Sequence, residues 1–421
     1  MLKFIVHGGH TLSGSVQVGG SKNAALPILA ATLLAKTPST LTNVPDISDV
    51  HAFLKIMSGL GAICTFDHGT VTVDPKNLTP SEVDQNLVKH MRASILLLGP
   101  LLARFQVARL AYPGGCVLGK RSIGAHLAAL TALGATAVES TEEIHLKSGS
   151  LHSATIDLPE ASVTATENAL MLAVTLAGTT EINNAAMEPH VQDLCYFLTA
   201  MGAQIEGIGT SHLTVSGPVA GTLHGTTYAV TPDYLEAGTF ILAGVLTNSK
   251  ITVENCKPDH LGSFLTALVL TGAEISITPR SVTTHPHGQL KNLPLLKTAV
   301  HPGFPTDLQA PFTVLLTQCA GQSTVNETLF EGRLNYLGEL SRMGANAEIL
   351  SPVAAQITGP TPLNGARIAS CDIRAGAAMV LAALIAKGET TITDINYIDR
   401  GYEQLDSKLR SLGAKIERIS E

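Results

Sequence analysis

A single thiol, Cys116, stands in the glycine-rich stretch Tyr112-Pro-Gly-Gly-Cys-Val-Leu-Gly-Lys-Arg121, with two cations, Lys120 and Arg121, directly behind it. A thiol beside a cation tends to carry a lowered pKa and to react as the thiolate. Glycines at 114 and 115 allow a tight turn or a close approach of backbone to a ligand. A helix pattern starts soon after, at Ile123-Gly-Ala-His-Leu-Ala-Ala-Leu. A glycine-rich loop feeding a helix is suited to cradle an anion. The competing reading is a small, inert, buried cysteine, which is common.

Placement of the other cations is informative, because Lys and Arg together number only 27. Lys22, Arg92 and Arg374 each precede a strongly apolar helix pattern, Arg121 precedes the helix after the cysteine loop, and Arg400 lies ahead of the last amphipathic stretch. A cation at a helix N-terminus is opposed by the helix dipole. Five such placements imply a cleft expecting a small, multiply anionic molecule, with Arg suited to bidentate carboxylate or phosphate contacts. Among the acids, Asp307 in Phe304-Pro-Thr-Asp-Leu-Gln-Ala-Pro reads equally as a helix cap and as an acid–base group. Asp372 and Asp399 read as partners orienting Arg374 and Arg400. Asp46 and Asp259, each following a proline, read as caps, His126 reads as core or ligand, and Glu188 has no assigned role.

These groups must be held by repeated elements. A Gly-Ala pair follows an amphipathic stretch at Gly61, Gly134, Gly202, Gly272, Gly344 and Gly413, with spacings of 73, 68, 70, 72 and 69 residues. So regular a period is an internal repeat. Each unit opens on an almost wholly apolar helix pattern, over 24–34, 93–102, 168–177, 237–246, 310–319 and 375–386. A helix apolar all round is a buried one. Runs rich in β-branched residues, such as Thr179–Asn183, Lys250–Glu254 and Glu389–Thr393, predict strands, and the glycine of each pair suits a helix C-cap. Six α/β units divide into two domains of three, with helices inside and sheets outside. The expected boundaries are 20–230 for the domain carrying the cysteine loop, and 1–19 plus 231–421 for the other.

Composition narrows the partners. Only 14% of the 421 residues are charged, against about 25% in an average soluble protein, so much of the chain is destined for burial. A net charge of −7 without a basic run argues against nucleic acid. The six scattered cysteines form neither a zinc pattern nor a disulfide framework. The N-terminus lacks the features of a signal peptide, and no apolar run approaches the ~18 residues of a membrane span. The expectation is a cytoplasmic protein, monomeric or weakly oligomeric, without membrane insertion.

Taken together, Gly20-Ser-Lys-Asn-Ala-Ala-Leu-Pro, Met91-Arg-Ala-Ser, Pro113-Gly-Gly-Cys, Phe304-Pro-Thr-Asp-Leu-Gln-Ala, Leu340-Ser-Arg-Met-Gly-Ala and Ile398-Asp-Arg-Gly-Tyr-Glu resemble the UDP-N-acetylglucosamine 1-carboxyvinyltransferases. These are the enolpyruvyl transferases that commit carbon to bacterial peptidoglycan. The match runs in order over essentially the whole chain. The resemblance implies an inside-out α/β barrel fold of two three-repeat domains, phosphoenolpyruvate and UDP-N-acetylglucosamine as substrates, and no metal or organic cofactor. It implies that Lys22, Arg121 and Arg400 hold the phosphate of phosphoenolpyruvate, and that Arg92, Arg333 and Arg374 surround its carboxylate. Asn23 matches a sugar contact, and His126, Ser162 and Val163 fall among the substrate-binding positions. Asp307 matches the base for the sugar 3'-hydroxyl. Cys116 matches the loop thiol that acts as general acid and that fosfomycin alkylates in similar enzymes.

Departures from the family pattern cluster on the nucleotide side. Ser122 and Gly124 replace a usual Pro and Asp, Thr164 replaces a usual Gly, and Tyr234 stands where Arg is common. They leave open a relative acting on a different nucleotide acceptor. Joint retention of Lys22, Cys116, Arg121, Asp307 and Arg400 argues against a non-catalytic binding protein.

Overall fold

The computed structural model describes residues 2–79, 85–112, 122–138, 140, 143–218 and 222–420. Cys116, Lys120 and Arg121 lie outside the described residues. The chain divides into two compact units, one within Gly20–Thr231, the other formed by Met1–Gly19 with Pro232–Glu421.

In each unit, apolar helices occupy the centre and sheets cover them. The first unit is centred on Lys22–Thr32, Leu98–Phe105 and Val163–Ala173, the second on Tyr234–Leu246, Gln309–Leu316 and Ile373–Ile385. Nearly every residue of these helices is buried, polar ones included. A helix without a polar face needs neighbours all round it, and here the neighbours are the other helices and the inner faces of the sheets. Among the described residues there are five four-stranded sheets and one of three strands. The strand Thr179–Asn183 shows the common pattern. It pairs parallel with Thr155–Asp157 on one side and antiparallel with His212–Ser216 on the other. Its Thr180 and Ile182 face the core while alternate residues face outward, the period-2 signature of a sheet covered on one side.

All six glycines of the repeated Gly-Ala pair adopt the left-handed conformation, with φ between +90° and +108°. Each follows a helix: Gly272, for example, follows Gly262–Leu270, and Gly413 follows Leu405–Ser411. Only glycine enters this region without a steric penalty, so the repeat is anchored by backbone geometry.

Two of the expected helices differ most from their sequence boundaries. The expected helix over 93–102 is a 3-10 helix, Arg92–Leu97, followed by an α-helix, Leu98–Phe105. Pro100 lacks the amide that would continue an α-helical ladder across this junction. The expected helix over 168–177 starts earlier, at Val163, and ends at Ala173. The N-terminal strands complete the second unit. Leu2–His7 lies between Glu389–Thr393 and Lys415–Ser420, and Ser13–Gln17 pairs parallel with Lys250–Glu254.

Asn168, fully buried, joins two central helices of the first unit. Its Oδ1 accepts from the Gly99 amide at 2.7 Å, and its Nδ2 donates to the carbonyls of Ile95 at 3.0 Å and Thr164 at 2.9 Å. Asn168→Ala strands the buried Gly99 amide and opens a small void. We expect a loss of about 3 kcal/mol in denaturant unfolding. A loss under ~1 kcal/mol would show that the amide finds another partner.

Candidate active site

In the first unit the site begins at the helix Lys22–Thr32. Ser21 caps it, its Oγ accepting the Ala24 amide at 3.4 Å, while Lys22 and Asn23 form its first turn. Lys22 is only 9% exposed, and its Nζ lies 2.6 Å from Asp49 Oδ2. Asp49 is the acid that sequence reasoning missed. Asp46, read as the cap of the next helix, does not cap it: the N-cap residue of Ser48–Gly59 is Ile47, and Asp46 pairs with His51 at 2.6 Å. The buried Asp49 instead faces inward to meet Lys22. A hint lay in the need to neutralise an ammonium placed at the start of an apolar helix.

Arg92 heads the 3-10 helix, and its charge bears on His126. His126 is 2% exposed on the helix Gly124–Ala132, and its Nε2 shares a 2.8 Å hydrogen bond with Thr164 Oγ1. Nδ1 has no hydrogen-bond partner among the described residues. Burial, helped by Arg92, lowers the pKa of His126 to about 4, so the ring is neutral at pH 7. His126 is therefore core and site at once, a neutral imidazole tied to the departing residue Thr164. Ser162 is the N-cap residue of Val163–Ala173, but its side chain makes no capping bond, so its hydroxyl leaves the leading amides of that helix uncovered. The other departures form local contacts of their own. Ser122 Oγ accepts the Gly124 amide at 2.9 Å. In the second unit, Tyr234 is buried edge-on against His260, with ring centroids 6.4 Å apart.

The centre of the second unit's site is Asp307, in the 3-10 turn Thr306–Leu308 that leads into Gln309–Leu316. It does not cap that helix, whose N-cap residue is Leu308. Arg333 Nη1 donates to its Oδ1 at 2.6 Å, and Arg374 Nε approaches its Oδ2 at 3.4 Å. Burial opposes the charge of Arg374, but Tyr402, Asp307 and Asp233 outweigh it and raise its pKa above the usual guanidinium range. The Tyr402 ring lies under that guanidinium, 5.2 Å from ring centroid to Cζ, and its hydroxyl bonds Thr239. Each arginine keeps a buried donor, Nε of Arg333 and Nη1 of Arg374, with no hydrogen-bond partner among the described residues. A buried N–H left open is costly, and an incoming anion would relieve that cost.

The two acids expected to orient arginines make further contacts. Asp372 is the cap of Ile373–Ile385, its Oδ1 accepting the amides of Arg374 and Ala375, each at 2.8 Å. It still orients Arg374, through the backbone. Asp399 receives a two-pronged bond from Arg418, at 2.8 Å on each oxygen. Arg400 ends the 3-10 helix Ile395–Arg400, where a cation suits the dipole, rather than beginning a helix.

The model of the EPSP synthase family (3-phosphoshikimate 1-carboxyvinyltransferase) matches residues 6–409, and the chain belongs to that family. Curated relatives within it carry the name UDP-N-acetylglucosamine 1-carboxyvinyltransferase. The protein from Koribacter versatilis is 44% identical over all of this chain and 97% of its own length. That from Ruthia magnifica is 43% identical over the whole of both chains. Among solved structures, the enolpyruvyl transferase NikO from Streptomyces tendae superposes with a TM-score of 0.89 at 27% identity, covering 100% of this chain and 99% of its own. EPSP synthase from Acinetobacter baumannii, with a TM-score of 0.77 at 18% identity over the whole of both chains, shares the fold. No described helix is long and apolar enough to cross a membrane.

The lowered pKa of His126 carries a pH dependence. Its unfolded pKa is near 6.5 and its folded pKa near 4, so the unfolded chain takes up the proton first. The stabilisation is full above pH 6.5 and is lost as pH falls from 6.5 toward 4. His126→Gln should flatten the acid side of the stability profile across that window, by an amount on the order of 3 kcal/mol. An unchanged profile would mean that the imidazole titrates normally. Glu167, fully buried, is pushed the other way by burial and then by Glu188, well above the carboxylate range. Its stabilisation as a neutral acid is present below about pH 4.5 and declines as pH rises through its folded value. Glu167→Gln should therefore raise the melting temperature more at pH 8 than at pH 5. A drop at both would rule out a neutral Glu167.

Proposed function

We propose that the chain transfers the enolpyruvyl group of phosphoenolpyruvate to the 3'-hydroxyl of UDP-N-acetylglucosamine, releasing phosphate, in the cytoplasm, at the first committed step of peptidoglycan synthesis. The observation that carries this reading is Asp307 held between Arg333 and Arg374, each with a buried donor left for an anion. Full-length similarity to proteins named for this reaction supports the choice of acceptor.

The reaction needs one acid, one base and a set of cations for the three negative charges of phosphoenolpyruvate. Cys116 protonates C3, and positive charge develops at C2. Asp307 takes the proton of the sugar 3'-hydroxyl as its oxygen adds to C2. Loss of a C3 proton to the thiolate left on Cys116 and departure of phosphate then restore the vinyl group. Lys22, Arg121 and Arg400 hold the phosphate, while Arg92, Arg333 and Arg374 hold the carboxylate. Asn23 holds the sugar, and His126, Ser162 and Val163 hold the nucleotide, whose diphosphate suits the uncovered amides behind Ser162. No metal or organic cofactor takes part.

A second reading, transfer to a different nucleotide acceptor, is favoured by one observation. The Thr164 hydroxyl occupies His126 at a position where glycine would leave the backbone open. Mixing the protein with phosphoenolpyruvate and, in parallel, UDP-N-acetylglucosamine, UMP or shikimate 3-phosphate, then measuring phosphate, separates the readings. Release with the UDP-sugar alone supports the first reading, and release only with another acceptor supports the second. Silence with all three, from folded protein, removes both.

Asp307→Ala should lower turnover by roughly 10²- to 10⁴-fold while calorimetry still detects the UDP-sugar. Near-normal turnover would remove Asp307 from the role of base. Cys116→Ser should abolish inactivation by fosfomycin, and persistent inactivation would point to another nucleophile.

A further inference from the structure

Glu327, directly after the strand Gly321–Asn326, is a fully buried carboxylate that the reaction as described does not use. Its Oε1 accepts from Thr298 Oγ1 at 3.0 Å and from the amides of Leu329 at 3.0 Å and Phe330 at 3.3 Å. Oε2 accepts from Thr306 Oγ1 at 2.7 Å. All four donors are neutral. Among the described residues no cation bonds it directly, and a buried carboxylate so placed is costly, so its retention calls for a reason.

Thr306 supplies one. A hydroxyl has a single proton, and Thr306 commits it to Glu327. Its oxygen is thereby left to accept, and Arg333 Nη1 donates to it at 3.0 Å. The same Nη1 donates to Asp307 Oδ1 at 2.6 Å. Glu327, Thr306, Arg333 and Asp307 thus form one continuous hydrogen-bonded chain, in which Arg333 donates both to Thr306 and to Asp307. Because Thr306 immediately precedes Asp307, its bond to Glu327 also fixes the turn that carries Asp307. The Phe330 ring, on the segment whose amides bond Glu327, lies against the Arg333 guanidinium at 4.8 Å.

We infer that Glu327 and Thr306 are positioning residues for the transfer reaction. The buried carboxylate sets the direction of the Thr306 hydroxyl, which keeps Arg333 in register with Asp307 and its Nε free for the substrate anion. The inference rests on the enolpyruvyl-transfer reading for its catalytic meaning, but the geometry can be tested apart from it.

Three variants of the full chain decide it: Thr306→Val, Thr306→Ser and Glu327→Gln. With phosphoenolpyruvate and UDP-N-acetylglucosamine, Thr306→Val should lose roughly 10- to 100-fold in kcat while KM for the UDP-sugar moves less than about threefold. Thr306→Ser, which keeps the hydroxyl, should recover most of that loss. Glu327→Gln should resemble Thr306→Val, since an amide presents one acceptor oxygen where the carboxylate has two. In parallel, the Arg333 Nε–H resonance, assigned with Arg333→Lys in 15N-arginine-labelled protein, should shift or broaden in Thr306→Val and hold its place in Thr306→Ser. A near-normal kcat and an unmoved resonance in Thr306→Val would overturn the inference, as would equal losses in the serine and valine variants. If Glu327→Gln does not fold, the threonine pair still decides. If the unaltered protein releases no phosphate, the transfer reading fails, and the resonance alone upholds or overturns the positioning role.

Discussion

Helices without a polar side impose the governing constraint on this molecule. Each of the six central helices is buried nearly around its whole circumference, so sheets must cover what the neighbouring helices do not. Helix ends become the places where polar chemistry can sit. Lys22, Ser162 and Arg374 all lie in or beside the first turn of such a helix, and Asp307 stands in the turn leading into another. The fold thus concentrates its few charges at the exits from its own core.

Once placed there, those charges must be balanced at short range. Lys22 is met by Asp49, and Arg333 and Arg374 share Asp307. Such pairs contribute little net stability, because desolvation offsets their attraction. Their effect is to hold rigid side chains in fixed directions. The balance is incomplete on the arginine side, where two buried donors have no partner among the described residues. The protein retains this local cost, as expected of a site prepared for an anion rather than of a core optimised for stability.

Much of the architecture was legible in the sequence, because it depends on local rules. The Gly-Ala repeat reads directly as six left-handed helix ends, and the apolar runs read as buried helices whose centres hold even where their ends shift. Pro100 divides one of them, a refinement that a reading by hydropathy passes over. Arg374 and Asp307 were visible by residue type and context, and Arg333 only through the family resemblance. Their partners were not. Asp49 for Lys22, Arg418 for Asp399 and Glu327 for Thr306 are contacts between segments 19 to 27 residues apart. Sequence reasoning read Asp372 as a partner of Arg374 and Asp46 as a helix cap, whereas Asp372 is the cap and Asp46 pairs with His51. Whether a polar residue faces inward or outward in a loop is decided by tertiary packing, to which local propensity is blind.

The pairing of Leu2–His7 has a consequence for the order of assembly. This strand hydrogen-bonds to Glu389–Thr393 and Lys415–Ser420, so it is made long before either partner. On the ribosome, all strands within Gly20–Thr231 are complete before the partners of this one exist. During that interval, about 400 residues of translation at roughly 5–20 residues per second, a short β-edge waits without a sheet. The second unit is thus closed only when these late strands meet a segment made well before them. A permuted chain in which Leu2–His7 followed Lys415–Ser420 through a short turn would make that antiparallel pairing local and remove the wait.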